Sequence, residues 1–309
     1  MPKPDSFRKS HVVHPGDTVA VVAPAGPFER APLEAGIAVL GARYRLRYDE
    51  RIYSRQRYLA GDDKRRAAEL LSALADPEIK AVFCARGGYG TMRLLPQLAS
   101  WASENQIPAK PLIGFSDITA LHQWLQSNGL ISIHGPVVTQ LGRLASPSQE
   151  TRRLVGLLES TTPAEQLRGT HTYMGGTAEG PLLGGNLSVF TRLLGTPFMP
   201  PLDGAILLLE DQAEQPYRLD RMWTHLQLAG VFSKISGIVL GEFKACEPRD
   251  GTYTSVEVLR ELAAAVGVPC AAGFPIGHGE VNQAVPLGVR VRLDANEAQL
   301  TFLEAAARA

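Results

Sequence analysis

The chain has 309 residues, of which 45% are hydrophobic and 20% charged, the composition of an ordinary globular protein with room for about two domains. Lys plus Arg number 31 and Asp plus Glu number 31, so no bulk field draws the chain to nucleic acid or to a membrane surface. No apolar run is long enough to span a bilayer, and the basic start, Met1 to Ser10, has no apolar stretch behind it; the expectation is a cytoplasmic protein without a signal peptide. The three cysteines, Cys84, Cys246 and Cys270, are scattered and odd in number, which predicts buried thiols in a reducing compartment.

Thr18 to Gly26 is a continuous apolar run stopped by Pro24 and Gly26, the mark of a strand buried on both faces. A helix over 32–43 and a short strand over 44–48 follow. Asp62 to Ala75 is strongly helical, with Ala67, Leu70, Leu71 and Leu74 on one face. A second buried strand, Ile79 to Ala85, runs into Arg86-Gly87-Gly88-Tyr89-Gly90, and a helix starts near Thr91. Lys110 to Phe115 is the next strand. It ends in Gly114-Phe115-Ser116-Asp117, and a helical pattern (Ile118, Leu121, Trp124, Leu125) begins at once. Alternation of strand and helix predicts a parallel, doubly wound sheet, with loops at the carboxyl ends of the strands forming the site.

Residues 161–180 change character: Thr161-Thr162-Pro163, Arg168-Gly169-Thr170 and Met174-Gly175-Gly176-Thr177 are turn-rich and read as a linker. The expected division is an N-terminal α/β domain (1–160), this linker, and a C-terminal β-rich domain (181–309). In the latter, Gly184 to Leu187 opens a short helix, Ala205 to Asp211 is a buried strand ending in two acids, and 217–231 and 254–266 are helices. Gly237 to Phe243 and Ala271 to Ile276 are strands, the second running into Gly277-His278-Gly279-Glu280-Val281-Asn282. Val289 to Leu293 and Gln299 to Leu303 alternate as a hairpin.

Metal chemistry finds little support. His11 and His14 sit in an extended terminus, and neither His-Glu-x-x-His nor Cys-x-x-Cys occurs. Gly87 to Gly90 lacks the spacing of a dinucleotide fingerprint but offers backbone N–H groups. Ser116, at a strand-to-helix turn, is either an N-cap or a nucleophile whose oxyanion would meet the Asp117 N–H. A nucleophile needs a base and an orienting acid. His278, flanked by glycines at a strand end, is a base or merely a loop histidine. Glu210 and Asp211 end the most apolar strand and project to opposite faces, so only one of them can orient the histidine.

Taken in order, Arg86-Gly87-Gly88-Tyr89-Gly90, Gly114 to Thr119, Leu183-Gly184-Gly185-Asn186-Leu187, Glu210-Asp211 with Pro216 to Arg221, and Gly277-His278-Gly279 resemble the LD-carboxypeptidase family from Val12 onward. The resemblance implies a Ser116–Glu210–His278 triad, a flavodoxin-like N-terminal domain, a smaller β-rich C-terminal domain, a homodimer and no cofactor. It also implies cleavage before the terminal D-alanine of murein tetrapeptides. On that reading Asp117 and either Gly87 or Gly88 donate to the oxyanion, Arg86 is a reader of the substrate carboxylate or a structural clamp, and Asn186 contacts substrate. Two alternatives stand beside it. One is a peptidase similar to the microcin-immunity enzymes, whose aromatic loop for the base is weakly matched here by Tyr173 alone, since the tryptophans are Trp101, Trp124 and Trp223. The other is a non-catalytic muropeptide sensor.

Overall fold

In the computed structural model, which describes residues 7–144, 148–248 and 251–309, the chain enters through β1 (Ser10–His11) and β2 (Thr18–Val22). Side chains of β2 alternate between two cores: Ala20 and Val22 on one face, Val19 and Val21 on the other. That is why its apolar run is unbroken. There follow α1 (Arg30–Gly41), β3 (Arg45–Arg47), α2 (Asp63–Ala75) and β4 (Ile79–Cys84). After a 3₁₀ turn at Thr91–Leu94 come α3 (Leu95–Glu104) and β5 (Leu112–Gly114), then α4 (Thr119–Ser127), β6 (Ser132–His134), α5 (Val138–Leu141) and α6 (Gln149–Glu159). Helices α2, α3 and α4 send Leu70, Leu98 and Leu121 to the Ala20 face, and α1, α5 and α6 send Leu33, Val138 and Leu154 to the Val19 face. The sheet is doubly wound, as expected.

The five parallel strands lie in the order β6-β5-β4-β2-β3. Counted along the chain this is the flavodoxin order 2-1-3-4-5, whose switch point falls between β2 and β4. The loops leaving those two strands therefore splay apart into a crevice. Lys110, just before β5, is buried at the opposite end. Its ammonium donates to the carbonyls of Ala73, Leu74 and Asp76, closing the C-terminus of α2.

The second sheet is built from β7 (Leu167–Arg168), β8 (His171–Met174), β9 (Thr177–Asn186), β10 (Ile206–Gln212), β11 (Gly237–Lys244) and β12 (Cys270–Ala272), with α7 (Leu187–Thr191), α8 (Pro216–Leu228) and α9 (Ser255–Val266) in its crossovers. Strand β13 (Val285–Leu287) then departs, β14 (Arg290–Asp294) and β15 (Gln299–Phe302) form the expected hairpin, and β16 (Ala307–Arg308) pairs with β1. The eight-stranded order is β7-β15-β14-β9-β10-β11-β12-β8, parallel from β9 to β12 and antiparallel at both flanks.

Two features depart from the expected division. Residues 161–180 are not a linker, since they supply β7, β8 and the start of β9. Gly169 answers to contact rather than to freedom, since a Cβ there would lie 2.5 Å from the Ala272 carbonyl. And β13 leaves the C-terminal half to pair antiparallel with β6, adding a sixth strand to the N-terminal sheet. The segment around the sequence-predicted base thus reaches across to the first sheet. All three cysteines are free and buried, and no helix among the described residues is long and apolar enough to cross a membrane.

Candidate active site

Strand β5 ends at Gly114, Phe115 stays extended, and Ser116 turns into a single 3₁₀ turn, Ser116–Ile118, that leads into α4. Ser116 has φ +65°, a left-handed conformation that a residue with a Cβ adopts only at a cost of about 1–3 kcal/mol. The N-cap position belongs to Phe115, and no side chain caps this turn. Capping, the structural alternative for Ser116, is therefore not what holds it there. The neighbourhood has been cut to admit it. A Cβ on Gly114 would lie 2.9 Å from the Ile118 side chain, and one on Gly87 would lie 2.9 Å from Ser116 Cβ and 3.1 Å from its Oγ. Glycines thus let backbone close around a strained serine, the device of a nucleophile elbow without the usual Gly-x-Ser-x-Gly spelling.

The glycine loop after β4 is tied down at both ends. Gly87 accepts from the Gly26 N–H at 3.1 Å, which joins the loops on either side of the switch point. At the far end, the Thr91 N–H and hydroxyl both donate to the buried carboxylate of Asp117 at 2.9 Å. Burial raises the pKa of that carboxyl. The side chain of Asp117 is thus a brace, and its expected contribution is the backbone N–H, which opens the helical turn. Arg86 is exposed and donates through Nη1 to the Pro27 carbonyl, so the clamp is the role its contacts display.

Strand β10 delivers the acids. Glu210 is fully buried, and its Oε2 lies 2.6 Å from Nδ1 of His278, which is itself almost buried. Asp211 turns the other way, where a bulge shifts the β10–β11 register between Leu209 and Asp211. Its carboxylate accepts from Asn186 Nδ2 (3.0 Å), the Ser188 N–H (2.8 Å) and the Gln212 N–H (2.8 Å). Burial, and secondarily the charge on Glu210, pushes its pKa up to about 6. Asn186 was expected to touch substrate. In the fold its Oδ1 caps α7 through the Val189 N–H, Nδ2 donates to Asp211, and its own N–H donates to Thr119 Oγ1 at 2.9 Å. The Leu183–Leu187 motif thus joins the two sheets.

His278 follows Gly277, whose φ of +106° and missing Cβ let Glu210 lie against it; a Cβ there would sit 2.4 Å from Glu210 Oε2. The imidazole packs on Phe115, ring centroids 4.8 Å apart, which sets it beside the residue preceding Ser116. The carboxylate at Nδ1 selects the tautomer with its proton on Nδ1, which turns Nε2 toward the reacting side. Two further histidines underlie the site and were passed over in the sequence. His122 on α4 bonds to the Gly114 carbonyl through Nε2 (2.8 Å) and to Ser132 Oγ through Nδ1 (2.9 Å). Burial lowers its pKa to about 4, so it is neutral, with Nε2–H as the donor. His134 lies fully buried 6.0 Å from the Phe115 ring and is held neutral by the same cause. The only signal in the sequence was a histidine on an otherwise apolar helix face.

A strained serine after a strand of one sheet and a buried carboxylate–imidazole pair carried by the other, brought near each other by the Phe115 ring packed on His278, are the parts of a hydrolytic enzyme. More specifically, the chain belongs to the LD-carboxypeptidase family, whose N-terminal domain model matches residues 19–135 and whose C-terminal domain model matches residues 179–293. It is 36% identical over 294 residues to the murein tetrapeptide carboxypeptidase of Pseudomonas aeruginosa, covering 90% of this chain and 93% of that one. The crystal structure of muramoyltetrapeptide carboxypeptidase from Oxalobacter formigenes superposes with a TM-score of 0.80 at 29% identity, over 92% of this chain and 97% of that one. The microcin C7 self-immunity protein MccF, in complex with aspartyl sulfamoyl adenosine, shares the fold with a TM-score of 0.84 at 24% identity, over 97% and 100% of the two chains.

Proposed function

We propose that this enzyme is a serine carboxypeptidase that hydrolyses the L,D bond before the terminal D-alanine of murein tetrapeptides, releasing D-alanine through an acyl-enzyme, in the recycling of cell-wall peptides. The observation that carries the reading is the 2.6 Å bond from buried Glu210 to His278, set beside a serine in a strained turn. In this mechanism Nε2 of His278 takes the proton from Ser116 Oγ as the oxygen attacks the scissile carbonyl. The oxyanion meets the N–H of Asp117 and one from Gly87 or Gly88; each such donor is worth about 3 kcal/mol in an acyl-transfer site. His278 then gives its proton to the leaving amine of D-alanine. Water enters, the histidine acts as base again, and Ser116 is regenerated. Glu210 holds the tautomer and offsets the imidazolium charge throughout. No step calls for a cofactor. The readers proposed for the terminal carboxylate are the N–H groups of the glycine loop and the remaining N–H groups of Arg86, whose Nη1 is clamped to the Pro27 carbonyl. The family resemblance also supports a cytoplasmic homodimer.

A microcin-immunity-type peptidase is the second reading, favoured by the close fit to the MccF fold. Against it, Tyr173 is part of strand β8 and packs on His171 at 6.3 Å, which leaves no tryptophan platform for a base in that stretch. The experiment offers the protein three ligands in parallel: monomeric tetrapeptide, its C-terminal amide, and aspartyl sulfamoyl adenosine. Mass spectrometry is expected to show loss of one alanine from the acid only. Turnover of the nucleotide alone would favour the second reading, and equal cleavage of acid and amide would remove carboxylate recognition. Binding of tetrapeptide without turnover would mark a sensor.

A further inference from the structure

The proposed mechanism needs Ser116 and His278, which stand on different sheets, to keep a fixed separation. Most contacts of the His278 loop refer it to its own sheet. The Glu242 N–H donates to the Ile276 carbonyl (2.9 Å), the Gln283 N–H donates to the Pro275 carbonyl (2.8 Å), and Gly277 rests on Glu210. Asn282 does something different. It is fully buried, its Oδ1 accepts from the Gly277 N–H at 3.0 Å, and its Nδ2 donates to Oε1 of Gln140 at 3.1 Å. A backbone N–H can only donate, so the amide orientation is fixed: oxygen toward the residue before His278, nitrogen toward the first domain. Gln140 lies on α5, and the neighbouring Thr139 N–H donates to the Ala85 carbonyl at 3.0 Å, immediately before the Arg86–Gly90 loop that closes on Ser116.

From this chain of contacts we infer that Asn282 and Gln140 form a positioning pair that sets the base against the nucleophile across the domain boundary. Neither touches the reacting atoms. Their effect passes through Gly277, whose N–H donates to Asn282, itself tied to Gln140 of the first domain, and whose missing Cβ leaves room for Glu210. Beyond Gln283 the chain is secured independently, because β13 pairs with β6 through its backbone. Loss of the side-chain pair therefore loosens the histidine without detaching the segment.

This inference rests on the serine-triad reading, so its test uses a readout that does not depend on the peptide substrate. A fluorophosphonate probe labels a serine only when its base is in place, and its second-order rate reports the alignment of Ser116 with His278. Asn282→Ala is expected to slow labelling about 10- to 100-fold, in line with the cost of about 1 Å of misplacement at a reacting centre. Gln140→Leu, remote from the triad and only half-buried, is expected to slow it about tenfold, while Gln140→Glu, which keeps the acceptor, restores it to within about twofold of wild type. The Asn282→Ala/Gln140→Leu double variant should be no slower than the worse single, because both break one contact. With tetrapeptide the loss should fall on kcat and leave KM within about threefold. Labelling of both single variants within twofold of wild type would overturn the inference. So would losses that multiply in the double variant, or a Gln140→Glu variant as slow as Gln140→Leu. A wild-type enzyme that labels but leaves tetrapeptide intact would remove the substrate reading alone, and a wild-type enzyme that does not label would remove both.

Discussion

At the scale of single residues, the two acids that end β10 divide the work. Glu210 faces His278 and Asp211 faces the α7 joint, although both follow the same leucine run. Glu210→Gln keeps shape and volume but removes the charge that fixes the Nδ1 tautomer. It should cost roughly four decades in kcat, as in the serine-protease template, with little change in melting temperature. Asp211→Asn should do the reverse. One carboxylate oxygen that accepts an N–H becomes an amide that points a donor at a donor, a loss of about 1–3 kcal/mol in stability, while kcat stays within about tenfold. Thermal denaturation read beside steady-state rates separates the two, and a larger kcat loss from Asp211→Asn would put the acid on the wrong residue. Gly87→Ala belongs at the same scale. The new methyl group would crowd Ser116 Cβ at 2.9 Å, and a drop in kcat of about two decades with the fold intact is expected.

Among the elements, strand β5 carries the site at one end and stability at the other. Lys110, before the strand, supplies donors to three carbonyls at the end of α2. Lys110→Met should lower stability by about 1–3 kcal/mol in denaturant titration and leave kcat near wild type. Strands and helices of the first sheet were legible because strands buried on both faces are written as unbroken apolar runs, as in the stretches 19–22 and 81–84. The same logic hid β7 and β8. They are short and lie at the flanks of the second sheet, where His171 and Thr172 face solvent, and the Gly169-Thr170 pair between them meets the Ala272 backbone. Of the candidate site, the Glu210–His278 pair and the turn at Ser116 were legible from the apolar runs that precede them and from the family motif. The roles of Asn186, Asn282 and the side chain of Asp117 were not, because each is a hydrogen bond to a residue far away in sequence. Ser116's positive φ has no local spelling either. It depends on Gly87 from a neighbouring loop.

At the scale of the whole molecule, the histidines beneath the site make stability depend on pH in a definite sense. His122 is neutral when folded, with its pKa lowered by burial to about 4, so the unfolded chain takes up the extra proton first. Stability should be full above the ordinary histidine range near 6.5 and fall as pH drops toward 4, by on the order of 2 kcal/mol from this group at pH 5. His134 acts in the same direction. Asp211 opposes them: its raised pKa makes the folded state bind the proton more tightly, so its contribution improves as pH falls through about 6. Asp117, Glu69 and Glu242, whose carboxyls burial also raises, act with Asp211, so each group is read from its own variant against wild type. Between pH 7 and 5 the urea midpoint should lose less in His122→Gln than in wild type and more in Asp211→Asn; the opposite order would contradict these assignments.

On the proposed mechanism the two sheets matter because neither holds the whole triad. The glycine loop leaves β4 at the switch point and Ser116 follows the neighbouring β5, Glu210 lies on β10 and His278 in the loop after β12, and the hydrogen bonds between Thr119 and Asn186 and between Gln140 and Asn282 join the two. On the proposed mechanism Ser116 Oγ is the atom that attacks. The most direct measurement is the turnover of tetrapeptide by Ser116→Ala, with released D-alanine counted by mass spectrometry on protein shown to be folded by its melting curve. Removal of the nucleophile predicts a loss of at least about three decades in kcat, down to what the oxyanion donors and binding supply alone. Turnover within tenfold of wild type would contradict it.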